Sequence, residues 1–143
     1  MATIQRFEEL TVWQDARMLS GQVYELTQTG AFSKEFELKN QINGSSGSVM
    51  DNIAEGFGRG SRAEFKQFLG FSLGSVSEVK PQLYRAYDRK HINEHFCNAL
   101  YEDADKITKK LISLMIYWGE SSYKGVKFMS EDEIEYQTIN QRR

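Results

Sequence analysis

The most constraining feature of the chain is an apolar rhythm that passes unbroken through a stretch composed like a linker. Leu38, Ile42, Val49, Ile53 and Phe57 follow one another at intervals of four, seven, four and four residues. That is the repeat of one helix face. Between Ile42 and Val49 stands Asn43-Gly44-Ser45-Ser46-Gly47-Ser48. A flexible linker has no reason to hold phase across such a segment. The spacing therefore predicts a helix from near Ser33 through Phe57, with Glu35 and Glu37 in its first turn, where negative charge suits the helix dipole. Each interior glycine costs about 1 kcal/mol relative to alanine, so something must repay Gly44 and Gly47. Small Gly44, Ser45, Gly47 and Ser48 would let a neighbouring helix come close. Gly58 to Ser61 then reads as the turn into the next helix.

The same rhythm recurs in three more segments. One carries Trp13, Ala16, Leu19, Val23 and Leu26, opens on a capping box of Thr11 with Gln14 and stops at Gly30. Another opens on Ser61 with Glu64 and carries Phe65, Phe68, Leu69, Ser72, Val76, Val79 and Leu83. Pro81 lies inside it and predicts a kink or break, because it frees the carbonyl of Ser77. The last begins near Asn93, carries Phe96, Leu100, Ile107, Leu111, Leu114 and Trp118, and ends at Gly119. Connections of about three to six residues favour antiparallel neighbours. The expected fold class is all-α, an antiparallel up-down four-helix bundle over residues 1–120. Residues 121–143 are expected to form a polar C-terminal tail, with Ser130 and Glu133 as the signal for one short helix.

The totals agree. A chain of 143 residues with one proline suits a single helical domain. The net charge of −2 argues against a generic nucleic-acid coat without excluding a local basic patch. A lone cysteine, Cys97, excludes an intrachain disulfide and makes a reducing cytoplasm the default compartment. No secretory leader or membrane span is expected.

Two motifs suggest chemistry and fail on context. Gly58-Arg59-Gly60-Ser61-Arg62-Ala63 fits a dinucleotide fingerprint, which needs a preceding strand. The preceding segment is helical, so the plainer reading is an interhelix turn. His91-Ile92-Asn93-Glu94-His95 fits the pattern of inverted zinc peptidases. Asn93, however, looks like a helix cap, which leaves His91 in a loop and the pair on different faces. Cys97 reads as a small buried residue. The aromatic residues sit at helical spacing and read as core or interface. No cofactor or metal is expected, and no catalytic set emerges.

Several stretches together carry a resemblance: FEELTVWQDA at the start, NQI at 40–42, NIAEGFGRGS at 52–61, EFKQFL at 64–69 and GSVSE at 74–78. The chain resembles the bacterial four-helix-bundle family named for proteins encoded in 23S-ribosomal-RNA intervening sequences. The resemblance implies a left-handed bundle without enzymatic activity. It also implies a homo-oligomer, a ring-shaped pentamer in relatives. The accessory protein of diversity-generating retroelements is similar, and implies contact with RNA or a reverse-transcriptase ribonucleoprotein. One departure stands out: Asn43 and Gly44 replace a basic pair that follows the Gln-Ile in many members.

The candidate nucleic-acid-binding residues are Arg59, Arg62, Lys66, Arg85, Arg89 and Lys90, in two sequence clusters that an oligomer would multiply. Their plainer role is to complement helix ends. A second candidate set, Gln41, Asn52, Glu55, Arg59, Ser75 and Glu78, reads as a polar cluster linking helices or subunits. Within it Glu55 and Arg59 are placed for a helical ion pair. The alternative function is a protein-interaction scaffold without nucleic-acid contact, which the acidic net charge favours.

Overall fold

The computed structural model describes residues 3–120. A 3-10 turn, Phe7–Glu9, precedes α1 (Thr11–Thr27). A second, Gly30–Lys34, leads to α2 (Phe36–Arg59), which is followed by α3 (Arg62–Asp88) and α4 (Glu94–Glu120). Each helix packs on its neighbours in the order α1–α2–α3–α4–α1. The cross-contacts run in opposite directions at the α2–α3 and α3–α4 seams, and Thr11 and Asp15 at the start of α1 meet Lys110 late in α4. Gln41 meets Arg85 while Val49 meets Ser72. Arg62 meets Trp118 while Lys80 meets Asp105. The result is an antiparallel four-helix bundle, and every described element is helical.

The apolar rhythm produces this packing. Leu38, Ile42, Val49, Ile53 and Phe57 are all buried, facing Phe65, Leu69, Val76, Val79 and Leu83 of α3 and Ile107, Leu111 and Leu114 of α4. Full burial of one such side chain is worth roughly 1.5–3 kcal/mol, so a dozen of them outweigh two interior glycines. The linker-like stretch is continuous helix. Ser45 and Ser46 point inward, whereas Gly44 and Gly47 meet no neighbouring helix of their own chain. Close approach occurs about two and a half turns beyond Gly47. A Cβ on Gly56 would stand 2.5 Å from the Cβ of Phe68.

Several boundaries differ from expectation, each for a local reason. Thr11 and Gln14 form no capping box. Leu10, in extended conformation, precedes the helix, and the Gln14 side chain instead donates to the Glu8 carbonyl at 2.8 Å. The second helix starts at Phe36 rather than Ser33, because the Ser33 hydroxyl donates to the Gly30 carbonyl at 2.7 Å and closes the 3-10 turn. Gly58 belongs to α2. Gly60 alone takes the left-handed conformation that ends the helix, with φ of 76°. Ser61 caps α3, its hydroxyl accepting from the Glu64 N–H at 3.2 Å. Pro81 does not break α3. Both Pro81 and Ser77 face solvent, where water can satisfy the freed carbonyl. Asn93 caps α4, accepting from the Phe96 N–H at 2.8 Å. Phe96 itself is 45% exposed, and the inward position belongs to Cys97. Gly119 lies within α4. The expected 121–143 tail lies outside the described residues. No described helix is long and apolar enough to cross a membrane.

Candidate functional site

The α2–α3 hairpin carries nearly all the candidate side chains, and its antiparallel course sorts them into two groups. At the Gly60 turn, the Arg59 guanidinium pairs with Glu55 at 2.9 Å and lies 3.8 Å from Glu64. It also sits over the Phe68 ring, 5.2 Å from its centroid. Arg62, the first residue of α3, donates to the Trp118 carbonyl at 3.3 Å and leans on the Trp118 ring. Lys66 follows one turn later and is exposed.

Arg85, Arg89 and Lys90 stand at the other end of α3. From Lys66 to Arg89 the helix rises about 35 Å, so the six cations do not form one surface within a chain. The Arg85 guanidinium donates to the Gln41 side-chain oxygen at 2.8 Å. Arg89 pairs with Glu35 at 2.7 Å, and the other Glu35 oxygen meets His91 Nε2 at 3.0 Å. Lys90 is exposed in a left-handed conformation, φ 65°, closing the turn after α3.

The expected polar cluster also divides. Glu55 and Arg59 belong to the turn end. Gln41 and Glu78 belong to the other, where Glu78 accepts from the Ser45 hydroxyl at 3.1 Å and Gln82 donates to the same hydroxyl at 3.0 Å. Asn52, between them, donates to the Ser48 carbonyl of its own helix. Ser75 enters none of these hydrogen bonds. The six therefore do not make one network, because Gln41 and Glu55 lie about 21 Å apart along α2. Sequence spacing missed Ser45 and Gln82, which complete the second group. Polar residues buried at a helix–helix seam leave no periodic signal of their own.

The remaining motifs resolve structurally. His91 lies in the loop before α4, stacked on Phe32 at a centroid distance of 4.9 Å. His95 is exposed on α4. Among the described residues, no three His, Cys, Asp or Glu side chains converge as a metal site. Burial pushes the Cys97 thiol up, with Asp88 and Glu94 adding to it, and its hydrogen bond goes to the Leu83 carbonyl. It behaves as a core residue. Lys110 of α4 is clasped to Asp15 of α1 at 2.8 Å, and Asp105 of α4 takes Lys80 of α3 together with Lys109 of its own helix. Burial would raise the Glu35 carboxyl, but hydrogen bonds from Arg89 and His91 outweigh it and hold the group below its ordinary range. Hydrogen bonds from Lys80 and Lys109 do the same for Asp105.

Comparison with curated protein sequences finds no match. Among solved structures, one similar chain is a protein of unknown function from the S23 ribosomal protein family of Bacteroides thetaiotaomicron. It is 25% identical, with a TM-score of 0.67, over 73% of this chain and 97% of that one. The sequence model described as 23S rRNA-intervening sequence protein matches residues 8–113, from the first 3-10 turn into the last third of α4. A match that reaches all four helices of the bundle places the chain in the 23S rRNA-intervening sequence protein family.

Proposed function

We propose that the protein is a non-catalytic binding protein that works as a homo-oligomer, a ring of five. In this reading it assembles through the outer face of the α2–α3 hairpin and holds RNA, or a ribonucleoprotein such as a reverse-transcriptase complex, through cations that assembly repeats. One observation carries the assembly reading. Gly44, Gly47 and Gly74 of this hairpin lie inside helices, as do Gly21 and Gly58, yet no atom beyond their own stretch of helix stands within 4 Å of where a Cβ would project. Packing within the chain has no use for them, although each costs about 1 kcal/mol in a helix. A helix of a second copy fits that bare face.

Arg59, Arg62 and Lys66 would then repeat around the assembly and offer phosphates a basic surface that one near-neutral chain lacks. The test has two arms. Light scattering at micromolar concentration should give a multiple of the 16.5 kDa chain mass. RNA affinity should be measurable at low salt and fall steeply as salt rises. A monomer removes the assembly reading, and an affinity absent at low salt or indifferent to salt removes the RNA reading.

A second reading, a protein-interaction scaffold without nucleic-acid contact, has its own support. Arg59, Arg85 and Arg89 are each engaged by an acceptor of the same chain. Those bonds would have to open, or be shared, for phosphate to bind. A defined protein partner retained after nuclease treatment would favour this reading.

A further inference from the structure

The Gly60 turn carries an arginine whose donors are already engaged. Arg59 Nε and Nη2 lie 3.1 and 2.9 Å from one oxygen of Glu55, and Nε lies 3.8 Å from Glu64. Phe68 covers one side of the guanidinium, with its ring centroid 5.2 Å away, and Phe71 meets the Phe68 ring edge-on. The Arg59 side chain is nevertheless 49% exposed. A guanidinium whose nitrogens face carboxylates is poorly placed to clamp a phosphate. Fixed in position over an aromatic ring, it is well placed to receive a second flat group.

Beside it opens a shallow hollow of about 550 Å³, lined by Phe7, Asp51, Ala54, Glu55, Gly58 and Arg59. Phe7 and Ala54 make it apolar, and Gly58 adds no side chain to fill it. Its charged groups are Asp51, Glu55 and Arg59. Glu55 is engaged by Arg59, and the exposed Asp51 stands one turn, about 6 Å, further back along α2. A carboxylate repels phosphate but accepts from the ring and amino N–H groups of a nucleobase. An apolar floor, a flat cation and a hydrogen-bond acceptor together suit an unpaired base. A base inside a duplex has its faces covered and its pairing edge occupied. Phosphates are left to Lys66, which is exposed, and to Arg62, whose acceptor is the neutral Trp118 carbonyl.

We infer that Arg59 is a stacking platform for one unpaired RNA base, which enters the hollow with its donor edge toward Asp51 while Lys66 and Arg62 meet the adjoining phosphates. The inference rests on the RNA reading above and moves Arg59 within it from phosphate to base. The test uses two probes at low salt, an oligoadenylate and an RNA duplex of equal length. Its readout is the ratio of the two affinities, because a change in charge alone moves both together. Arg59→Lys keeps the charge and loses the flat, delocalised group. It should weaken oligoadenylate binding relative to duplex about tenfold, the usual effect of losing one stacked base. Gly58→Leu is neutral in charge and projects into open space, so it should fill the hollow and shift the ratio in the same direction. Helix content should be unchanged in both variants. A ratio unaltered by either variant overturns the proposal and leaves the RNA reading standing. So does a native chain that binds only the duplex. A native chain that binds neither probe removes the RNA reading, and this inference with it.

Discussion

Along the α2–α3 seam, two helices approach so closely that Gly56 has no room for a Cβ, and the Ser72 hydroxyl reaches across to the Val49 carbonyl at 2.8 Å. Along the α1–α4 seam, Phe96 stays exposed beside a hollow of about 390 Å³, and Met18 stays exposed beside a smaller one. The bundle is therefore tight on one side and slack on the other. Small residues make the first contact, and large side chains that meet incompletely leave the second open. The tight seam is where point changes should be felt in stability, and the slack one is where they should be felt in binding.

The sharpest way to break this contrast is Gly56→Val. Its Cβ would fall 2.5 Å from the Cβ of Phe68, an atom that cannot move without its helix. Overpacking of this kind costs about 3 kcal/mol, read as a lowered denaturant midpoint. A loss below about 1 kcal/mol would show that the seam yields. Ser72→Ala should cost about 1 kcal/mol, the usual worth of one buried hydrogen bond. Gly47→Leu should go the other way. With open space around it, the monomer gains up to about 1 kcal/mol of helix propensity. Light scattering should at the same time show a smaller particle, if the bare face of α2 is an assembly surface. Greater stability with unchanged mass would leave those glycines without the role proposed for them.

These glycines show how far the sequence could be read. Helix phase across residues 43–48 was legible because apolar burial is periodic, and the five-residue stripe from Leu38 to Phe57 is fully inside. Which small residue makes the close contact was not legible. Gly44, Gly47 and Gly56 share composition and helix, and only the position of α3 separates Gly56 from the others. The Glu55–Arg59 pair was legible because a helix fixes its spacing. The Glu35–Arg89–His91 clasp was not, since it joins residues more than fifty positions apart. Phe96 kept helical phase yet faces outward, because α1 does not come close enough at that end to cover it.

Charge divides the two sides in the same way. Glu35 and Asp105, held below their ordinary range by Arg89 and His91 in the one case and by Lys80 and Lys109 in the other, stabilise the fold at neutral pH. A carboxyl with a depressed folded value contributes above its unfolded value and loses that contribution as pH falls through the folded one. Stability should thus decline as pH falls below about 4, and less so in Glu35→Gln or Asp105→Asn, with solvent screening keeping each effect smaller than those above.

Asp103, on the slack side, has the opposite sign. Burial raises its carboxyl, Lys106 opposes this, and Asp15 and Glu102 add to it. A raised acid costs stability above its folded value, and the cost disappears as pH falls toward the unfolded one. Lys106 is the cation that opposes the shift, and removing it leaves only influences that raise the carboxyl. A carboxyl titration followed by NMR should therefore place Asp103 higher in Lys106→Ala than in the native protein. Equal titration in the two proteins would show that Lys106 does not act on the slack seam.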